Sequence, residues 1–151
     1  MHKLWLSLVI VGLILSVAAC GGGGTPATSP QPGAVLTGPI DISEEASGGK
    51  ASGGTISLTV SDDGASITRV EFTLTDPKCD GFSAGSSTTE TQSVFPVTNG
   101  NIAISLARGD QIKGRFTSPT AASGTIDLTV DPGIGGTPCD LGTWNWSAKA
   151  D

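Results

Sequence analysis

The sequence has little of the chemistry on which most enzymes depend. It contains one histidine, His2, one methionine and no tyrosine. His2 lies in an N-terminal segment that we expect to be removed. The remaining chain then offers no Ser-His-Asp or Cys-His nucleophile and no histidine ligand for a catalytic metal. We therefore predict that the protein is not an enzyme.

Glycoside hydrolysis needs two carboxylates and no histidine, and it is the enzyme class that the sequence leaves open. The candidate carboxylates are Asp62, Asp63, Asp76, Asp80, Asp127, Asp131 and Asp140. Most of them lie in predicted turns, where aspartate is common because its side chain hydrogen-bonds the nearby backbone. A small hydrolase is therefore the third hypothesis of function.

Basic residues are also scarce. The chain has eight Lys or Arg residues against fourteen Asp or Glu residues, and its net charge is −6 at pH 7. A chain of this charge repels phosphate backbones and anionic lipid headgroups. We expect no nucleic-acid partner and no electrostatic adhesion to a membrane.

Metal ligands are few, and Ca²⁺ is the metal that the sequence leaves open. Ser61-Asp62-Asp63-Gly64 and Asp76-x-x-x-Asp80 could lend oxygen ligands from loops. Neither segment has the twelve-residue spacing of an EF-hand loop. We expect no cofactor apart from a covalent lipid.

The N-terminus has the three parts of a secretory signal. Met1-His2-Lys3 is positively charged, Leu4–Ala19 is mostly apolar, and small residues end the segment. A retained transmembrane helix is the alternative, but Leu4–Ala19 would span only about 24 Å of a ~30 Å hydrocarbon core. We expect residues 1–19 to be a signal peptide.

The end of this segment, Val17-Ala18-Ala19-Cys20, resembles the lipobox of bacterial lipoproteins. The resemblance implies that the thiol of Cys20 receives a diacylglyceryl group and that Cys20 becomes the mature N-terminus. It also implies a lipid anchor in the cell membrane or the outer membrane, with the domain on the extracytoplasmic side. An ordinary signal peptide followed by a chance cysteine is the alternative.

The mature chain divides into a tether and one domain. Residues 20–34 contain a run of four glycines, Gly21 to Gly24, and several prolines, which predict a flexible tether. Residues 35–151 are enough for one domain with a core.

The other two cysteines, Cys79 and Cys139, form an even pair. A disulfide is the expected state of such a pair in an oxidising compartment. A metal site is the alternative, but two cysteines without histidine are a poor zinc set.

Apolar residues alternate with polar ones along most of the domain, as in Ile56, Leu58 and Val60 and again in Ile126, Leu128 and Val130. About seven or eight such strands, separated by Gly, Asn and Asp turns, predict an all-β antiparallel meander closed as a sandwich or barrel. Ile67 and Val70 are out of phase, which predicts a β-bulge between them.

The last predicted strand carries a recognisable pattern, Cys139-Asp140-x-Gly142-x-x-x-Trp146-x-Ala148. Together with Gly114-Arg115-Phe116 and Ser123-Gly124-Thr125, it is similar to an uncharacterised secreted two-cysteine β domain of environmental bacteria. The resemblance covers Val35 to Ala148. It implies the two-cysteine β fold and no catalytic residues. Trp144 departs from the pattern, because a smaller residue is usual there.

Trp144 and Trp146 are two residues apart, so they point to the same face of a strand. On a solvated face they would form a platform for sugars. In the core they would supply aromatic bulk to a chain that has little of it, and Gly114 would leave room for one ring. The first hypothesis is a membrane-anchored lipoprotein displaying a non-catalytic domain of envelope structure, adhesion or ligand display, whose protein or glycan partner stays open. The second is a carbohydrate-binding module that uses Trp144 and Trp146.

Overall fold

The computed structural model describes residues 28–42, 49–79, 82–83, 87–106, 109–130 and 138–151. The predicted signal peptide, the lipidation site Cys20 and most of the predicted tether lie outside these residues. So do Asp80 and Asp131.

The described residues form strands and turns and contain no helix, and so none that could cross a membrane. The strands are β1 (Val35–Ile42), β2 (Gly49–Lys50), β3 (Gly54–Val60), β4 (Ser66–Leu74), β5 (Lys78–Cys79), β6 (Phe82–Ser83), β7 (Ser87–Pro96), β8 (Asn101–Ser105), β9 (Gln111–Ser118), β10 (Ala121–Val130) and β11 (Cys139–Lys149).

Eight of these strands form one antiparallel sheet in the order β7-β4-β3-β1-β11-β10-β9-β8. Each strand of this sheet pairs with the next strand of the sheet along the chain, except that β7 and β8 do not pair with each other, and β1 also pairs with β11. The two edge strands, β7 and β8, are joined by the tight turn Val97–Gly100. The sheet is therefore a nearly closed, barrel-like meander with one seam between β7 and β8. Of the two predicted architectures, sandwich and barrel, the structure has the barrel-like one.

The alternation seen in the sequence fills the interior. Ile56, Leu58 and Val60 of β3 are buried, while the residues between them are partly exposed on the outer face. The predicted bulge is confirmed, because Val60 pairs with Ile67 whereas Thr59 pairs with Arg69. Thr68 is the extra residue, and it restores the inward direction of Val70.

The chain directions give the barrel two different ends. The turns Ser61–Ala65, Val97–Gly100 and Pro119–Thr120 all lie at one end, which we call the short-turn end. The C-terminal ends of β1, β4, β8 and β10 all lie at the other. Along the chain β2 follows β1, and β5 and β6 follow β4, so the small sheet β2-β5-β6 belongs to this end, where Cys79 and Cys139 are bonded. We call this the disulfide end.

One inward-facing row of the sheet shows how the widest side chain is accommodated. Gly114 of β9 pairs with Gly124 of β10, and Gly124 pairs with Trp146 of β11. A Cβ on Gly114 would lie 2.5 Å from Cζ2 of Trp146 and 2.7 Å from the Ser123 carbonyl oxygen. The predicted vacancy at Gly114 is confirmed: the indole occupies the space that a side chain would take.

Gly114→Ala should therefore destabilise the barrel by about 1–3 kcal/mol, because the new methyl group overpacks the ring and the β10 backbone. Urea unfolding monitored by tryptophan fluorescence measures the change. The matched control is Lys113→Ala, one residue away on the exposed outer face, which should change the free energy of unfolding by less than about 0.5 kcal/mol. Equal stability of the Gly114→Ala variant and the parent would contradict this packing.

Candidate functional site

The two tryptophans predicted to share a face of β11 do so, and that face is the inner one. Trp144 is 1% exposed and Trp146 is 2% exposed. The Nε1–H of Trp144 donates to the Leu141 carbonyl at 2.8 Å, and that of Trp146 donates to the Thr125 carbonyl at 3.0 Å. Both indoles therefore satisfy their only polar group inside the barrel. The expectation that the pair fills the core is confirmed.

Burial leaves neither ring with a free face on which a sugar could stack. The two rings sit in adjacent inward rows of the sheet, one beside Ile126 and the other beside Gly124. Their neighbours in the core are aliphatic and aromatic side chains. The arrangement is that of a packed interior, and it gives no support to a carbohydrate platform formed by Trp144 and Trp146.

The predicted disulfide is present between Cys79 and Cys139. Cys79 is buried in β5 of the small sheet, and Cys139 is the first residue of β11. The bond therefore attaches the small sheet to the strand that closes the barrel. The bond lies at the disulfide end, where β11 begins.

The Cys-Asp-x-Gly pattern forms a local hydrogen-bonded turn at the start of β11. The Asp140 carboxylate accepts a hydrogen bond from the Gly142 N–H at 2.7 Å. Gly142 has a φ of +79°, which glycine adopts without steric cost. The pairing with β10 shifts register beside this turn, between Leu128 and Thr129. The bulge sets the phase that sends Trp144 and Trp146 inward.

Most of the aspartates considered for catalysis make structural contacts where the structure describes them, whereas Asp62 is exposed in its turn. Asp63 accepts hydrogen bonds from the Ser61 hydroxyl and from the Ala65 N–H. The Ser61 hydroxyl and the Ala65 amide hold the pKa of Asp63 below its usual range. Asp76 forms an ion pair with Lys78. These contacts explain the residues as turn formers.

Two further aspartates, Asp127 and Asp110, make contacts between strands. Asp127 accepts a hydrogen bond from the Thr143 hydroxyl across the β10–β11 pair. Asp110 is a buried carboxylate that the sequence did not single out, and it accepts a hydrogen bond from the Thr129 N–H at 2.7 Å. That bond fastens the β8–β9 connection to β10. The sequence signal would have been an aspartate beside Gly109 at the start of a strand.

In the Ser61-Asp62-Asp63-Gly64 turn, the side-chain oxygens of Ser61 and Asp63 take part in hydrogen bonds within the protein. Ser61 Oγ accepts from the Ser66 N–H at 3.0 Å while donating to Asp63. Within the described ranges, no three histidine, cysteine or acidic side chains are grouped so that they could hold a metal ion. Asp80, the second acidic residue of the other proposed calcium segment, lies outside those ranges.

A shallow groove of about 390 Å³ lies on the outer face near the short-turn end. It crosses β1, β11, β10 and β9, and its lining includes Thr37, Pro39, Ala121, Ser123, Ser147 and Lys149. The groove exists because the outward side chains of these strands are short. No motif in the sequence pointed to it.

No protein-family model matches this chain, and no curated protein and no solved structure matches it either. The similarity of β11 to the closing strand of a secreted two-cysteine β domain therefore stays a prediction, as does the lipobox at Cys20.

We predict that Trp146→Ala costs about 3–5 kcal/mol of unfolding free energy, because it empties the largest volume in the core and frees the Thr125 carbonyl. Thermal and urea unfolding measure the loss. Trp146→Phe is the matched control: it keeps one aromatic ring while it loses the N–H donor and part of the indole volume, and it should lose less stability. An alanine variant as stable as the parent would contradict the core assignment.

Replacing both Cys79 and Cys139 with serine should cost about 2–4 kcal/mol, because the cross-link restricts a long loop in the unfolded chain. Reduction of the parent protein by dithiothreitol serves as the control and should lower stability by a similar amount. Thiol labelling of the native exported protein offers a separate measurement. If both cysteines react with the label without prior reduction, the disulfide assignment is wrong.

Proposed function

We propose that the protein is a lipoprotein anchored through Cys20, and that its barrel is a non-catalytic domain displayed on the extracytoplasmic side of the membrane. Its role is structural, adhesive or ligand-displaying within the cell envelope. The observation that carries the proposal is a barrel whose interior is packed with its own side chains and whose strand β11 is joined to the small sheet by a disulfide.

The packed interior supports a display role over transport of a small molecule. Phe116, Trp144 and Trp146 fill the barrel together with isoleucines and leucines from the other long strands except β7. Barrels that carry ligands keep their interiors open for the cargo. Here the volume is taken by the core, so any partner must meet the outside of the domain.

The disulfide supports export. Disulfides persist in secreted and envelope proteins, whereas cysteine thiols in the cytosol are kept reduced. A signal peptide ending at Cys20 supplies the route, and two or more acyl chains on that cysteine hold a protein stably where one does not. The secretory signal, the lipobox and the disulfide thus agree on one compartment.

The two alternative functions have less support. A carbohydrate-binding module would need Trp144 and Trp146 on the surface, and both are buried. A glycoside hydrolase would need two carboxylates facing one sugar. Asp63 and Asp140 instead accept hydrogen bonds within their own turns, and Asp127 accepts one from Thr143 of the neighbouring strand.

Cys20→Ser tests the anchor. The parent protein, expressed in a bacterial host with lipoprotein processing, should partition into detergent and the membrane fraction. The serine variant should move to the soluble or secreted fraction, because serine cannot take the lipid. Mass spectrometry of the mature N-terminal peptide should find a lipid on Cys20 of the parent.

The control is the double variant Cys79→Ser and Cys139→Ser, which changes the other two cysteines and should remain in the membrane fraction. Continued membrane partitioning of Cys20→Ser would mean that residues 1–19 are retained as a helix, and the proposal would fail.

A further inference from the structure

The described chain begins with a segment that lies across the short-turn end. This segment, Thr28–Ala34, precedes β1, and we call it the strap. The Gln31 N–H donates to the Pro119 carbonyl at 2.7 Å, and the Gly33 N–H donates to the Ser61 carbonyl at 3.0 Å. Pro119 belongs to the β9–β10 turn and Ser61 to the β3–β4 turn. The strap thus bonds to turns from both halves of the sheet.

Close packing accompanies these bonds. Pro30 is buried although it lies in the segment that the sequence assigns to the tether. A Cβ on Gly100 would come within 2.8 Å of the Thr28 carbonyl oxygen, and one on Gly64 within 3.1 Å of the Pro30 carbonyl oxygen. Both glycines have positive φ and sit in turns. Each turn accommodates the strap because a glycine stands where the strap passes.

The strap determines where the chain leaves the barrel. From β1 it runs past the β3–β4 and β9–β10 turns and reaches the β7–β8 turn at Gly100, where Thr28 lies. Any membrane anchor at Cys20 is therefore connected to the short-turn end. The disulfide end is the opposite end of the barrel.

We propose that the strap gives the anchored domain a fixed polarity, with the short-turn end as its membrane-facing surface and the disulfide end turned outward. This inference rests on the proposed lipid anchor at Cys20. The bilayer is the partner of the short-turn end, and the disulfide end is the surface available to molecules outside.

Chain lengths set the scale. Between Cys20 and Thr28 a chain can span at most about 29 Å, and a Gly-rich chain of this length averages about 16 Å. An eight-residue strand such as β1 is about 26 Å long, or roughly 20 Å along the axis of a barrel with tilted strands. The two ends therefore differ in their mean height above the bilayer by an amount comparable with the tether itself.

Charge keeps the domain from docking on the lipid. Asp62 and Asp63 are exposed in the β3–β4 turn, and Asp151 is exposed after β11. These carboxylates oppose close contact with an anionic bilayer, so the short-turn end faces the lipid across a layer of water.

Energy transfer between the domain and the bilayer measures the polarity. Asp62→Cys places one donor dye at the short-turn end, and Gln111→Cys places it at the start of β9 at the disulfide end. Both positions are exposed. Cys79 and Cys139 are bonded and Cys20 carries lipid, so the new thiol is the one that reacts. The lipidated protein is reconstituted in phosphatidylethanolamine–phosphatidylglycerol vesicles that contain an acceptor-labelled lipid.

We expect the dye at position 62 to lose more donor emission than the dye at position 111. Equal losses, or a larger loss at position 111, would overturn the polarity. Flotation of the same vesicles separates this failure from that of the anchor: protein that floats without the expected order refutes the polarity alone, and protein that does not float refutes the anchor.

Gln31→Pro tests the role of the strap, because proline has no N–H to donate to the Pro119 carbonyl. Gln31→Ala is the matched control, since it keeps that N–H and changes only an exposed side chain. The difference in emission loss between the two dye positions should shrink in the proline variant and persist in the alanine variant. Circular dichroism confirms that both variants are folded. An unchanged difference in the folded proline variant would show that the strap does not set the polarity.

Discussion

The pairing of β1 with β11 is the constraint on which the rest of the barrel depends. These strands lie at opposite ends of the domain sequence, and their hydrogen bonds join the β3-β4-β7 half of the sheet to the β8-β9-β10 half. The pairing sets Ile40 opposite Trp146, so both halves contribute to one core. Without it, each half would expose an apolar face and an unpaired edge to water. Such a distant contact has an entropic cost that grows with the length of the loop. The disulfide at Cys139, the first residue of β11, lowers the part of that cost that arises in the unfolded chain.

Most of the fold could be predicted from periodicity, because alternation of apolar and polar residues is the direct signature of a strand with one buried face. The long strands and the bulge after Ile67 were predicted from this alternation. The gap at Gly114 was predicted from the need to make room for a buried indole. The sequence pattern could not distinguish a sandwich from a barrel. Both give the same alternation and differ only in whether the first and last strands meet. The strands β2, β5 and β6 were missed because a two-residue strand has no period. The strap resembles a tether in sequence, because its proline-rich chain bonds through backbone atoms that leave no side-chain pattern.

The candidate site residues divide in the same way. The shared face of Trp144 and Trp146 follows from strand geometry, and their inward direction follows from a small supply of aromatic side chains. The pairing of Cys79 with Cys139 follows from the expected compartment. Asp110 was not predictable as a buried residue, because its partner, the Thr129 amide, comes from a distant strand. The path of the chain before β1 depends on the strap, and no local pattern in the sequence shows where the strap would bind.

The seam between β7 and β8 has a consequence for how the barrel moves. In the part of the chain that the structure describes, β7 is held by one ladder of hydrogen bonds, to β4, whereas the interior strands are each held by two. Its inward residues Thr89 and Thr91 are only partly buried, so little apolar area is lost when it detaches. Val94 is exposed beside an irregularity in the ladder, and Pro96 ends the strand. Bulges and prolines of this kind discourage an edge from pairing with another molecule. Strand β7 should therefore open more readily than the interior strands, and its amides should exchange with solvent while β1 and β11 stay protected.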